Sequence, residues 1–479
     1  MRDLCRAAVD EASAAGASYS DARALTRRTQ SVTTRNREVE GVTDGETEGV
    51  GVRVLVDGAW GFACDPRLSA EGAAAAARRA VSFARASAGR AKSTVELAPA
   101  KAAAGSYATP AERDPIEVPL EEKIDLCLRA EEALARDGIG VTQAFVRALR
   151  ERRAFASSEG ADLEQELCEC GAGMEALAVH DGIVQSRSYP SSHGGSSSSA
   201  GWEYVESLGM VEEAPRVADE AHALVRADVC PPGTTTIVLD SEQTQLQMHE
   251  SVGHPTELDR ILGTEAAYAG TSWVGVDDLG SLRYGSELMN VTADATTPGG
   301  LGTFAWDDEG IPARREPIVQ EGVLTGFLSS RETAAAIGRE GGGSMRADRW
   351  SRMPLIRMTN LHLEPGEGSL EDLLADVDSG IYFATNKSWS IDDKRLNFQF
   401  GTEIAWEIKK GKLGRMLRDA TYMGRTPVFW GSLDGVAGPE EWRMCGLTNC
   451  GKGQPGQHAH VSHGTSVGRF RNVQVGVRQ

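Results

Sequence analysis

Apolar and polar positions change period several times along the chain. Residues 2 to 15, RDLCRAAVDEASAA, space their apolar side chains as one helical face. DARALTRRTQSVTTRNREVEGV and GVGVRVLVDGAWGFACD then alternate with a period of two, the second across a D-G turn, and predict strands. Helical spacing returns at SAEGAAAAARRAVSFARASAG (69 to 89) and ends at a glycine. A loop rich in proline and small residues leads to a helix at LEEKIDLCLRAEEALARDG, and three strand-like runs lie between residues 140 and 190. SSHGGSSSSAG (191 to 201) predicts a turn or flexible loop rather than a domain boundary, because helix VEEAPRVADEAHALVRA follows at once. The pattern shifts at CPPGTTTIVLD (230 to 240). Beyond it glycines and strand-like segments dominate, relieved by a helix at SEQTQLQMHESVGHP, with Ser241 as its N-cap, and a shorter one near SLEDLLADVDSG. The expected fold is α+β: a mixed N-terminal domain over residues 1–230, then a mainly β domain over 231–479 that carries the H-E helix.

Composition narrows the function. At 479 residues the chain is too long for one compact core. The balance of 69 acidic against 50 basic side chains, net −19, makes nucleic acid a poor partner, since phosphates would meet an anionic surface. No apolar run is long enough for a membrane span and no export signal is legible, so the expectation is a cytoplasmic protein. Eight cysteines without framework spacing read as buried thiols, any of which can serve as a metal ligand.

The chemistry concentrates in MHESVGHP, residues 248 to 255. The familiar zinc-hydrolase helix, H-E-x-x-H, puts two histidines four apart on one face with a glutamate beside them. Here the second histidine comes one residue late: on a regular helix His249 and His254 differ by about 140° around the axis and diverge. Gly253, which tolerates unusual dihedrals, and Pro255, which disfavours α geometry at His254, predict a deformed last turn or π-bulge that swings the two together. The plain alternative is one packed and one exposed histidine with Glu250 solvated. A third ligand separates the two, and RMCGLTNCGKGQPGQHAHVSHG near the end offers Cys445, Cys450, His458, His460 and His463. For His458 and His460 a polar strand is the favoured reading.

H-E-S-V-G-H-P-T-E-L-D together with C-G-K-G-Q-P-G-Q-x-x-x-V-S-H-G, and the intervening R-M-T-N-L-H-L-E-P-G, resembles the TldD/PmbA family of metallopeptidases over essentially the full length. The resemblance implies that His249, His254 and Cys450 bind zinc, and that Glu250 is the catalytic glutamate. It implies the metal-competent, TldD-like type, acting on small or unfolded peptides or peptide precursors, as a homodimer or as a heterodimer with a sister subunit that lacks the ligands. Glu257 and Asp259 are candidates to hold a ligand imidazole by its second nitrogen. A non-catalytic peptide- or toxin-binding protein with a structural metal is the rival, and an esterase on the same scaffold a third reading. Substrate contacts are sought in R-W-S-R-M-P-L-I-R-M-T-N, with Arg352, Arg357 and Asn360, and at His463; the glycine-rich REGGGSMRADR beside it reads as a loop or lid.

Overall fold

Four strands of 17 to 19 residues, Tyr19–Arg35, Glu38–Val56, Ile139–Ser157 and Asp162–His180, form the spine of an eight-stranded sheet. The computed structural model describes residues 1–90, 93–192, 194–453 and 455–476; His193 of the serine-glycine stretch and Gln454 of C-G-K-G-Q-P lie outside the described residues. Side chains sort by parity, as a period of two demands. Even-numbered Ala22, Ala24, Val32, Ala144, Val146, Ala154, Ala172 and Met174 are buried beneath two helix pairs. Arg2–Ala14 with Ala70–Ala88 covers one end of this face, and Leu120–Leu134 with Met210–Leu224 the other.

The odd-numbered face is polar and meets the second half of the chain. Arg23 Nη1 donates to Asp308 Oδ2 at 3.0 Å, Arg53 Nη1 to Glu309 Oε1 at 3.1 Å, and Gln165 Nε2 to the Trp306 carbonyl at 2.9 Å. Ser191, Ser192 and Ser196 to Ser199 are buried at this junction. Ser196–Ser198 adds a short strand to Asp162–His180, and Ser198 Oγ donates to the Gly299 carbonyl at 2.7 Å. The expected turn stands at residues 192 and 194, whereas the flexible loop is corrected, because Ser196–Ser198 is a paired and buried strand. Small polar residues stand here because the segment is wedged between two layers, where larger side chains do not fit.

In the β-rich second half, five strands close into a ring. Ser379–Ile391 pairs with Gly233–Leu239, then Gly468–Val475, Ala420–Arg425 and Asn397–Lys409, which pairs back with Ser379–Ile391. Ile237, Phe383, Phe400, Tyr422 and Phe470 are fully or almost fully buried in the core of this half. A six-stranded sheet beside it includes Asn360–Leu363, Gln457–Thr465 and Arg443–Lys452. Helix Ser241–Met248 leaves the ring from Gly233–Leu239 and packs against those three strands. Its N-cap is Asp240, whose Oδ1 accepts from Gln243 N at 2.7 Å, rather than Ser241, which is the first helical residue. No helix among the described residues is long and apolar enough to cross a membrane.

Candidate metal centre

The helix changes pitch at the first histidine. Ser241–Met248 is α-helical, His249–Gly253 is a π turn in which His254 N–H bonds back to the His249 carbonyl, and His254–Thr256 is a single 3₁₀ turn. An i→i+5 bond stacks residues five apart, so the two imidazoles that a regular helix separates lie together, ring centroids 4.8 Å apart at 87°. Side chains satisfy the carbonyls that the irregular turn frees. Residue 255 would serve the Ser251 carbonyl in an α-helix; Pro255 has no N–H, and Tyr284 Oη donates there at 2.5 Å instead. Thr256 Oγ1 bonds the carbonyls of Val252 and Gly253 at 2.9 and 3.0 Å. Gly253 has ordinary helical dihedrals, φ −58 and ψ −63, so the unusual backbone expected of it is absent. Its lack of a side chain makes room for Met358, whose Sδ lies 2.3 Å from where a Cβ would stand.

Strand Arg443–Lys452 brings Cys450 to the same point. Its Sγ lies 3.5 Å from His249 Nε2 and 3.9 Å from His254 Nε2, and the three donor atoms are all within 4.8 Å of one another. All three residues are buried, and they form the group among the described residues that could hold a metal ion. Both ring Nδ1 atoms are engaged from behind, His249 by His463 Nε2 at 2.6 Å and His254 by Glu257 Oε2 at 3.0 Å, which leaves the Nε2 atoms aimed inward. Burial pushes both imidazoles below their ordinary pKa and so favours the neutral, ligating form. At Cys450 burial opposes ionisation, but Arg357 and His254 outweigh it and hold the thiol below its usual value. The donor set therefore fits a divalent ion that accepts nitrogen and thiolate.

Three family models match the chain: the PmbA/TldA metallopeptidase domain 1 over residues 20–84, the central domain over 113–227 and the C-terminal domain over 232–476. A metalloprotease of Methanothermobacter thermautotrophicus is 30% identical over 458 residues, covering 96% of this chain and 95% of that protein. The chain belongs to the PmbA/TldD metallopeptidase family. A zinc metalloprotease TldD homolog of Saccharolobus solfataricus is 24% identical, covering 51% of this chain and 52% of its own. Among solved structures, TldE of Thermococcus kodakarensis superposes with a TM-score of 0.73 at 16% identity, covering 98% of this chain and 99% of that one. A proposed modulator of a DNA gyrase from Thermotoga maritima gives 0.78 at 19% identity, covering 99% of both. At such identity these two likenesses concern the fold.

Around the cluster of this PmbA/TldD chain lies a cavity of about 260 Å³, bordered by His249, His254, Cys450, Glu250, Arg395 and Glu242. Glu250 Oε2 is paired with Arg395 Nη1, from the turn that links Ser379–Ile391 to Asn397–Lys409. Of the two carboxylates considered as second-nitrogen partners, Glu257 holds His254, whereas Asp259 Oδ1 pairs with Lys452 Nζ at 2.8 Å. Lys452 also reaches Glu257 Oε1 at 3.3 Å and the Ile356 carbonyl at 2.8 Å, all fully buried.

The residues sought as substrate contacts lie elsewhere. Asn360 is fully buried and spends its amide on Gly302 N, the Asp294 carbonyl and Thr303 Oγ1. Arg357 is buried and braces the Cys450 and Gln457 carbonyls. His463 sits behind His249 at 0% exposure, and Arg352 offers its carbonyl to Arg23. None of the four borders the cavity. The glycine-rich loop is pinned, Gly342 N to Ser329 Oγ at 3.0 Å and Gly343 N to Asp307 Oδ2 at 2.9 Å. His458 is exposed, His460 bonds Glu169, and Cys445 borders the cavity outside the three-residue group. Sequence reasoning missed Arg395, Lys452 and Asp240. Only Lys452 carried a signal, two residues from Cys450 between glycines.

Proposed function

We propose that this chain is a zinc peptidase that hydrolyses small or unfolded peptides, with His249, His254 and Cys450 as metal ligands and Glu250 as general base. One observation carries the reading: two imidazole nitrogens and a thiol sulfur converge on a cavity that the neighbouring glutamate also borders. Tetrahedral zinc with Zn–N of about 2.0–2.1 Å and Zn–S of about 2.3 Å sets nitrogen and sulfur about 3.5 Å apart. The separations here are 3.5 and 3.9 Å. Zinc held there supplies Lewis acidity toward a water molecule and a peptide carbonyl, moderated by the thiolate. Glu250 takes the proton of the attacking water on its carboxylate and delivers it to the leaving amine. Arg395 pairs with the Glu250 carboxylate and positions it at the edge of the cavity until substrate arrives. Glu257 and His463 fix the two imidazoles so that their Nε2 atoms stay unprotonated.

The same reading keeps residues 1–230 and 231–479 as two domains, a cytoplasmic setting, and assembly either with a second copy or with a sister subunit that lacks the ligands. A purely structural metal in a peptide- or toxin-binding protein would favour a closed set of four protein ligands, and three residues group here. Metal analysis with a hydrolysis assay tests the proposal. The expected result is one zinc per chain and a loss of about 10²–10⁴-fold in peptide hydrolysis by Glu250→Gln. Metal-free active protein, or a variant as fast as the wild type, overturns it.

A further inference from the structure

A second, larger cavity of about 610 Å³ lies along the polar face of the N-terminal sheet, and Ser191 and Ser192 border both it and the metal cavity. On one side its wall is small: Ser31 and Thr33 stand opposite Arg147 and Phe145 on the neighbouring strand and border the cavity with them. Arg147 is partly buried here, its guanidinium 4.7 Å from the Phe145 ring centroid and its Nη1 donating to Thr448 Oγ1 at 2.9 Å. Thr448 lies in the strand that carries Cys450, so this brace fixes the guanidinium relative to the metal ligand. A side chain on Gly194 would begin 3.3 Å from Nη1; the glycine leaves the guanidinium uncovered.

What Arg147 lacks is an acid. Among the described residues no carboxylate pairs with it, whereas Arg23, Arg53 and Arg153 at this interface each have one and the partly buried Arg346 is held by three backbone carbonyls. The other charges of the cavity are engaged or distant. Lys387 is held by Gln185 and Asp419, and Glu403 by Arg187 and Ser188. Glu175 stands opposite Gln143, four residues along the strand from Arg147 and so about 14 Å away. A guanidinium half out of water without a counter-charge is held at a cost, and burial does push this one below its ordinary pKa. An incoming carboxylate, bound in the planar fork, relieves that cost.

We propose that Arg147 is a carboxylate-binding subsite: it receives a carboxylate of an extended peptide whose scissile bond lies in the adjoining cavity of His249, His254 and Cys450. The inference rests on the peptidase reading of that cavity and adds a substrate class, peptides with an acidic group at a fixed distance from the cut. The carboxylate comes from the peptide C-terminus or from an aspartate or glutamate side chain.

The test uses the full chain with zinc and a short alanine-rich peptide in three forms: free acid, C-terminal amide, and amide with one internal glutamate. Wild-type hydrolysis is expected to favour one carboxylate form by about tenfold in KM over the plain amide. The ratio is expected to fall toward one in Arg147→Met and to persist in part in Arg147→Lys; Thr448→Val, which removes only the brace, moves it the same way. Preference for the free acid assigns the C-terminal carboxylate, and preference for the glutamate form assigns the side chain. Equal KM values for all three peptides, or an undiminished preference in Arg147→Met, overturn the proposal. Calorimetric binding of the same peptides to Glu250→Gln protein, with and without Arg147→Met, separates the two ideas. If wild type cuts none of the peptides, the peptidase reading fails, while the calorimetric ratio still decides Arg147.

Discussion

Replacing Lys452 with methionine probes the network behind the proposed metal ligands. The side chain is completely buried, with Nζ 2.8 Å from Asp259 Oδ1, 3.3 Å from Glu257 Oε1 and 2.8 Å from the Ile356 carbonyl. At an effective dielectric of about 20, the two ion pairs are worth about 6 and 5 kcal/mol gross, most of which offsets the desolvation of three charges. Methionine keeps the length and bulk of the lysine stem, so packing changes little and the loss is electrostatic. Asp259 is then left without its cation and Glu257 keeps only the cation of Arg260, whose Nε lies 3.7 Å from its Oε2, and the expected destabilisation is about 3–5 kcal/mol. Because Glu257 also holds His254, the outer support of one ligand loosens, and zinc affinity should fall by about 10–100-fold. Urea denaturation of the metal-free protein measures the first effect and a competition titration with a chromogenic chelator the second. The triple variant Lys452→Met, Glu257→Gln, Asp259→Asn, which removes these three charges and leaves Arg260, should recover part of the lost stability. A single variant within about 1 kcal/mol of wild type, or a triple variant no better than the single one, would refute the electrostatic account.

Three further outcomes follow from the same geometry. His463→Phe should lower zinc affinity by about 10–100-fold while His463→Gln, which keeps an acceptor toward His249 Nδ1, should lose much less; equal losses in the two would show that His463 acts by bulk alone. Gly253→Ala meets no backbone strain but drives a methyl into Met358, so it should cost about 1–3 kcal/mol in thermal or urea unfolding and be largely relieved by Met358→Ala. Glu242 is pushed up to about 7 by burial, with Asp240 beside it adding to the effect. Its folded pKa exceeds the unfolded value of about 4.3, so the folded state binds the extra proton and stability falls with rising pH between those values, by up to about 1.4 kcal/mol per unit. Glu242→Gln should flatten stability measured between about pH 5 and pH 7; an unchanged slope would mean that Glu242 is ionised throughout.

Much of this protein could be read directly from residue order. Period-two runs mark the long strands because a sheet with one buried face needs alternation, and alanine-rich helical runs mark the helices that lie on it. His249, Glu250 and His254 stand out as a late-histidine variant of a zinc helix, the family resemblance singles out Cys450 from its neighbours, and Pro255 forecasts the break in the helix, since the missing N–H is a local property. Partners that come from far along the chain were not legible. Lys452 meets Glu257 across 195 positions of sequence and Arg395 meets Glu250 across 145, and no local pattern encodes either meeting. Burial decided the rest. Arg357, Asn360 and His463 have the chemistry to bind a substrate, yet all three are buried, where backbone carbonyls and a neighbouring imidazole claim their hydrogen bonds. The serine stretch has the composition of a linker and the role of a wedge. Local backbone preference and side-chain periodicity are properties of neighbours in the chain, which the sequence states outright; which polar group ends beside which is settled only when distant segments pack and each buried donor must find an acceptor.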